Sequence, residues 1–251
     1  MTTSRRVHDE PAWVLHHRPF RDSSRILDVL SRQHGRLSLV ARGSRAAKSR
    51  LKGILRPFLP LSLSWVIRSD LGTLTGADMS GVPIVLSGDA LLSGFYVNEL
   101  LLKLLHNHDP QPAIFDIYGR TIARLSAEPD VAPALRVFEM ELLQLLGYAL
   151  NLHHDTESQE ALVSEALYEY RVEQGPVPVG NRQGPMIFTG AEIVAIREMK
   201  FDQPAVLRNA ARLLRSAIAF HLGGKELKSR KVLMELKRGD IRQQTTGTGS
   251  E

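Results

Sequence analysis

A chain of 251 residues, 43% of them hydrophobic, is long enough for one large domain or two small ones and apolar enough for a packed core. It has no cysteine, which excludes disulfides and thiolate metal sites and fits a reducing cytoplasm. The formal charge of +5 hides an asymmetry: residues 1–80 hold 14 basic and 6 acidic side chains, residues 81–199 hold 7 and 16, and residues 200–251 hold 11 and 5. Two basic ends around an acidic middle point to different partners on different surfaces.

Residues 1–10 are polar and are expected to fray. Arg5-Arg6 is followed by His8-Asp9-Glu10 instead of an apolar run, which argues against a twin-arginine export signal. The spacing predicts a first strand starting at residues 13–15 and further strands over 25–30, 36–41, 61–67 and 71–75. Gly35 turns the chain into the third strand, and Pro57 and Pro60 punctuate the way into the fourth. Five short strands with one long connection predict a small barrel of the OB type, an architecture suited to single-stranded nucleic acid.

The long connection, residues 42–56, concentrates the charge. No carboxylate stands between Asp28 and Asp70, an interval that carries Arg32, Arg36, Arg42, Arg45, Lys48, Arg50, Lys52, Arg56 and Arg68. A loop of one charge sign repels itself unless a polyanion is its usual neighbour, and nucleic acid is the commonest polyanion. The bland alternative is a solvated loop that binds nothing. Arg36, Arg42, Arg45, Lys48, Arg50, Lys52 and Arg56 are the candidate phosphate contacts. Trp13, Phe20, Phe58 and Trp65 could stack on bases, although in so small a barrel most of them are expected in the core.

Beyond Gly81-Val-Pro83 the pattern becomes helical. Asp89 can cap a helix running to about His106, apolar nearly all round and therefore expected to be buried. No membrane span is expected: residues 91–105 come closest, and Asn98, Glu99 and Lys103 interrupt them. A second helix starts at Pro112. Asp130 can cap a third, with Leu135, Phe138, Leu142 and Leu146 inward and Gly147 ending it. Residues 151–187 read as an acidic, Gly/Pro-rich insert, with one short strand over 166–172. Thr189 and Glu192 form a capping box, with Phe188 and Ile193 as its hydrophobic staple. Pro204 opens a helix closed by Gly223-Gly224, with Leu207, Ala211, Leu214 and Ile218 as its apolar stripe. Arg208, Arg212 and Arg215 lie at i, i+4, i+7 on the other face. With Lys225, Lys228 and Arg230 they form either a solvated face or a second, partner-binding surface. A last short helix is expected over 229–237 and a disordered tail over 245–251.

Three local patterns carry little chemistry. Ser49-Arg-Leu-Lys52 matches S-x-x-K, but its lysine sits among other cations in a loop, where it makes a poor base. Residues 43–49 lack the second glycine and the spacing of a P-loop. His153-His154-Asp155 places imidazoles side by side, where neighbours seldom face one ion together. Neither catalytic residues nor a metal or cofactor site is expected.

The residues also resemble a known family. Val14-Leu-His-His-Arg-Pro-Phe20, Ala41-Arg-Gly-Ser-Arg45 and Leu51-Lys-Gly-Ile-Leu-Arg-Pro-Phe58 are similar to the barrel of the RecO family of bacterial recombination mediators and DNA-repair proteins. Tyr96-Val-Asn-Glu-Leu-Leu101, Leu135-Arg-Val-Phe-Glu139, Leu145-Leu-Gly-Tyr148 and Leu222-Gly-Gly-Lys-Glu-Leu-Lys-Ser-Arg230 are similar to its helical part. The resemblance implies an α+β chain: a five-stranded OB-fold barrel over residues 1–80, then an all-helical domain over 81–244 with a small irregular insert. It implies a non-enzymatic cytoplasmic protein associated with the nucleoid. Such a protein binds single- and double-stranded DNA, anneals complementary strands and helps RecA onto DNA coated by single-stranded DNA-binding protein. The implied partners are RecR and the acidic C-terminal tail of that coating protein. Some relatives bind zinc through four cysteines in the insert, which this chain lacks. The rival readings are an RNA-binding OB-fold protein and a serine hydrolase built on Ser49.

Overall fold

A computed structural model describes residues 5–67, 70–229 and 231–232. The expected last helix over 229–237 and the expected tail fall mostly outside the described residues.

Five strands close a barrel: β1 (Arg5–Phe20), β2 (Ser24–Ser31), β3 (Gly35–Ala41), β4 (Pro60–Ile67) and β5 (Leu71–Met79), in the order β1-β2-β3-β5-β4. β1 is twice the expected feature. Its C-terminal half pairs antiparallel with β2 and its N-terminal half with β4, so residues 5–10 of the segment expected to fray are strand, while residues 1–4 lie outside the described residues. Each half carries a register shift, at Val14/His16 and at Val7/Glu10, and such bulges let one strand bend around a closing barrel. Glu10 is buried and useful there: its carboxylate accepts from the Ser31 hydroxyl and the Gln33 amide, holding the β2–β3 turn. In β3 and β4 burial alternates with period two, as expected. Val14, Leu27, Val29, Leu37, Leu39, Leu61, Leu63 and Trp65 fill the barrel.

Trp13 and Leu15 of β1 are buried as well, under helices. α1 (Gly88–Leu104) and α2 (Pro112–Ala127) pack in the same compact unit as the barrel, which holds the described residues up to Ala127 and those from Leu227 on. Trp13 meets Tyr118 of α2 edge-on at 5.3 Å. Asn98 of α1 donates to the Leu15 carbonyl at 2.8 Å and accepts from the Tyr118 hydroxyl at 2.9 Å, so the polar residue that interrupts an apolar helix is fully employed. Burial pushes the Tyr118 phenol above its ordinary range. α1 departs from expectation in two ways. Ser87 stands at the N-cap position, with Asp89 in the first turn where the helix dipole favours a carboxylate. The helix is also not buried all round: Phe95 is 42% exposed, while Ser93 and Gly94 face inward. A side chain on Gly94 would strike Leu86 and Phe58, so the inward face is the small one.

The second unit is Glu128–Glu226. α3 (Val131–Leu145) is capped by Asp130, which accepts from the Ala132 amide. Leu135, Phe138 and Leu142 are buried as expected. The insert is less irregular than its composition implies. β6 (Leu167–Arg171), β7 (Gly175–Pro178) and β8 (Ile187–Thr189) form a sheet in the order β7-β6-β8. Pro176 and Pro178 disguise β7, yet it is an edge strand, where a missing N–H is tolerated. Thr189 and Glu192 make the reciprocal capping box of α4 (Gly190–Arg197). In α5 (Pro204–His221) the buried stripe is Val206, Ala210, Leu213, Leu214, Ala217 and Ile218. It is rotated from the expected one, so Leu207 and Ala211 are only half-buried.

Candidate nucleic-acid interface

The basic connection between β3 and β4 is fastened at both ends and along its middle. At its start the buried Ser44 hydroxyl donates back to the Ala41 carbonyl at 2.8 Å. At its end Leu55 is fully buried in the barrel core, with Leu51 and Ile54 packed against that core. A short 3-10 turn, Arg50–Lys52, carries the chain between these anchors. The apolar positions therefore point inward and the cations outward. Arg42, Arg45, Lys48, Arg50, Lys52 and Arg56 are all exposed. Among the described residues, the side chains of Arg42, Lys48, Arg50, Lys52 and Arg56 have neither hydrogen bond nor ion pair.

Two of the expected contacts are placed differently. Arg36 is half-buried, and its Nε donates to the Leu105 carbonyl at 3.2 Å, capping the C-terminal end of α1. Burial lowers its pKa, with Asp28 opposing. Arg45 remains exposed but is tied back: its amide donates to the Ser23 carbonyl at 2.9 Å and its guanidinium to the Arg21 carbonyl at 3.2 Å. That tie brings in a neighbour which sequence spacing does not show. The β1–β2 turn lies against the connection and adds Arg21, whose guanidinium sits 5.2 Å from the half-buried Phe20 ring. Of the four aromatics considered, Trp13, Phe58 and Trp65 are core. Phe20 alone stands at the edge of the basic surface.

The other expected sites separate in the same way. Arg208 and Arg215 of α5 are exposed, whereas Arg212 lies over the Phe188 ring at 4.4 Å and donates to Asn209 and to the Ile187 carbonyl. Lys225 and Lys228 are exposed, and Arg230 lies outside the described residues. The backbone at Lys228 and Ser229 is tied to α1, both amides donating to the Glu99 carboxylate at 3.0 and 2.8 Å. Burial acts to raise Glu99, but these bonds, the Ser229 hydroxyl and Lys103 carry it below its ordinary value. Ser49 is the N-cap of the 3-10 turn, and the Lys52 side chain is solvent-exposed. The His153 and His154 rings stand 6.0 Å apart, and Asp155 is taken up by Ser158 and Glu157. Among the described residues no group of three His, Cys, Asp or Glu could hold a metal, and no helix is long and apolar enough to cross a membrane.

The family model for the N-terminal part of recombination protein O matches residues 5–82, and that for its C-terminal part matches residues 86–231. The chain belongs to the RecO family. It is 40% identical to the DNA repair protein RecO of Methylococcus capsulatus over 227 residues, covering 90% of this chain and 93% of that one. It is 41% identical to the DNA repair protein RecO of Nitrosococcus oceani over 234 residues, covering 93% and 95%. With that of Dechloromonas aromatica it shares 39% over 241 residues, 94% and 99%. The join between the two RecO models, at residues 82–86, follows the end of β5. The compact units divide elsewhere, after Ala127, because α1 and α2 pack on the barrel.

Proposed function

We propose that the chain acts in DNA repair and homologous recombination by binding DNA through the connection between β3 and β4, without covalent chemistry. The observation that carries this reading is the set of five unpartnered cations on a loop pinned by Leu55. A cation already paired must break that pair before it meets phosphate, whereas these meet it directly. Such contacts give affinity for single and double strands alike and read no sequence. Held strands with free bases can pair, so annealing of complementary strands follows, and with it help for RecA on DNA coated by single-stranded DNA-binding protein. RecR and the acidic tail of the coating protein are the partners that fit a RecO-family chain. Arg208 and Arg215 on α5, with Lys225, are the cations open to an acidic tail. Working on DNA would place the protein with the nucleoid.

The test is annealing of complementary oligonucleotides, naked and coated, with RNA of the same sequence as control. Acceleration on both DNA substrates supports the reading. Equal or tighter binding to RNA with no annealing of DNA would replace it with an RNA-binding one.

A further inference from the structure

A cleft of about 280 Å³ opens in the second unit, between the end of α3, the β6–β7 turn and the end of α5. Four of its side chains define its chemistry: Tyr148, Tyr170, Glu173 and His221. Tyr148 stacks on His221 with ring centres 4.0 Å apart and planes at 12°, and remains 41% exposed. Tyr170 is the reverse: only 3% of it is exposed, and among the described residues its hydroxyl has no hydrogen-bond partner. The ring is packed away, but the oxygen is not sealed from solvent, and it is open to a donor entering the cleft. Burial alone moves its pKa, upward. Glu173 stands exposed at the turn with φ +70, and Gly175 follows at φ +108, where a Cβ would strike the Asn151 side chain. The turn is thereby bent so that a carboxylate edges the cleft.

The charge of the cleft is one-sided. Among the described residues Glu173 is its only acidic or basic side chain besides His221, and neither lysine nor arginine lines it. The nearest cation along the chain, Arg171, is held by Glu169 at 2.7 Å. Residues 151–184 carry six carboxylates and two guanidinium groups. The cleft therefore offers acceptors and an aromatic face under a negative potential. Arginine complements all three: its planar guanidinium stacks on aromatic faces, carries only donors and matches a carboxylate two-pronged. A nucleobase would stack equally well, but it would bring its phosphate into the acidic segment.

We propose that this cleft receives an arginine side chain from a partner protein, stacked on Tyr148, paired with Glu173 and donating to the Tyr170 hydroxyl. This proposal shares no residue with the basic connection and does not depend on the DNA-binding reading.

The experiment titrates the full chain, at pH 8 and without DNA, with the capped peptide Gly-Gly-Arg-Gly-Gly and its lysine counterpart, following backbone amides by NMR. The arginine peptide should shift the amides of residues 147–151 and 172–175, and the lysine peptide should bind several-fold more weakly. Glu173→Gln, an exposed substitution that leaves the fold intact, should weaken the arginine peptide by roughly 10-fold, the loss of one charged hydrogen-bonded pair. Tyr148→Ala should also weaken it. Absence of shifts at these amides up to tens of millimolar peptide overturns the proposal. So does unchanged affinity in Glu173→Gln. Thymidine monophosphate shifting the same amides more strongly than the arginine peptide, with Glu173→Gln improving it, would assign the cleft to a nucleotide instead.

Discussion

Lys48→Ala, Arg50→Ala and Lys52→Ala together remove three neighbouring exposed cations that hold no partner among the described residues. If each meets a phosphate, binding to single-stranded DNA loses about 0.7 in the slope of log affinity against log salt per contact, or about 2 in all. Between 50 and 200 mM salt that difference makes the parent lose about 20-fold more affinity than the variant. If the two lines meet near 1 M, the parent binds about 100-fold more tightly at 0.1 M. The fold should hold, because exposed substitutions of this kind each shift stability by about 0.5 kcal/mol or less. Fluorescence anisotropy with a labelled oligonucleotide across the salt series gives both slopes, and thermal denaturation checks folding. Two unrelated oligonucleotide sequences should lose affinity equally, since phosphates carry no sequence information. A folded variant with the parental slope refutes the assignment of phosphate contacts to this segment.

Arg36→Ala should do the opposite: lower the thermal midpoint, since the Leu105 carbonyl loses its donor, while the salt slope stays within about half a contact. Asn98→Ala leaves the buried Leu15 carbonyl and Tyr118 hydroxyl without partners and should cost about 1–3 kcal/mol or more in denaturant unfolding; a neutral result would show water taking its place. Because the Glu99 carboxyl is held below its ordinary value, its contribution is complete above the unfolded-state value and is lost as pH falls through the lower folded one. The amide resonances of Lys228 and Ser229 should therefore stay put through the ordinary carboxylate range near pH 4 and move only at lower pH, and Glu99→Gln should displace them at neutral pH. Movement centred within the ordinary range would contradict this.

Much of the barrel is legible in the sequence because its signals are local. The alternation in β3 and β4 survives as alternating burial, and the Thr189–Glu192 box is there as spelled. The misses are positions where tertiary contact overrides local character. Arg5 and Arg6 look like a frayed end, but β4 supplies them with a partner strand. Two prolines hide β7, which only its edge position makes possible. The rotated stripe of α5 arises because Ala210 and Ala217 are small, a property that hydrophobic spacing underweights. Among the candidate binding residues, the free cations and two spent ones, Arg36 by the barrel and Arg212 on α5, are alike in sequence. What separates them is a helix end 69 residues from one and a phenylalanine ring 24 residues from the other, relations that no local pattern encodes.

Leu55 separates two ways in which a basic loop can bind. In one, only the number of cations matters; in the other, their prior placement matters too. Ordering a loose segment on binding costs about 1–2 kcal/mol for each residue fixed. The core contact of Leu55 and the Ser44 turn fix much of the connection during folding, before DNA arrives. Leu55→Ala removes the pin and leaves every cation. It should cost about 2–5 kcal/mol of stability, as buried leucine truncations do, against a typical total of about 5–15 kcal/mol. The variant is therefore to be compared at low temperature, with folding verified by circular dichroism. Its salt slope should match the parent, because the charge that releases counterions is unchanged. Its affinity should fall at every salt concentration by a constant factor, the entropy of ordering that folding no longer covers. Equal affinity in a folded Leu55→Ala protein would show that the cations act by number alone, and that the apolar anchor serves the barrel and not the DNA.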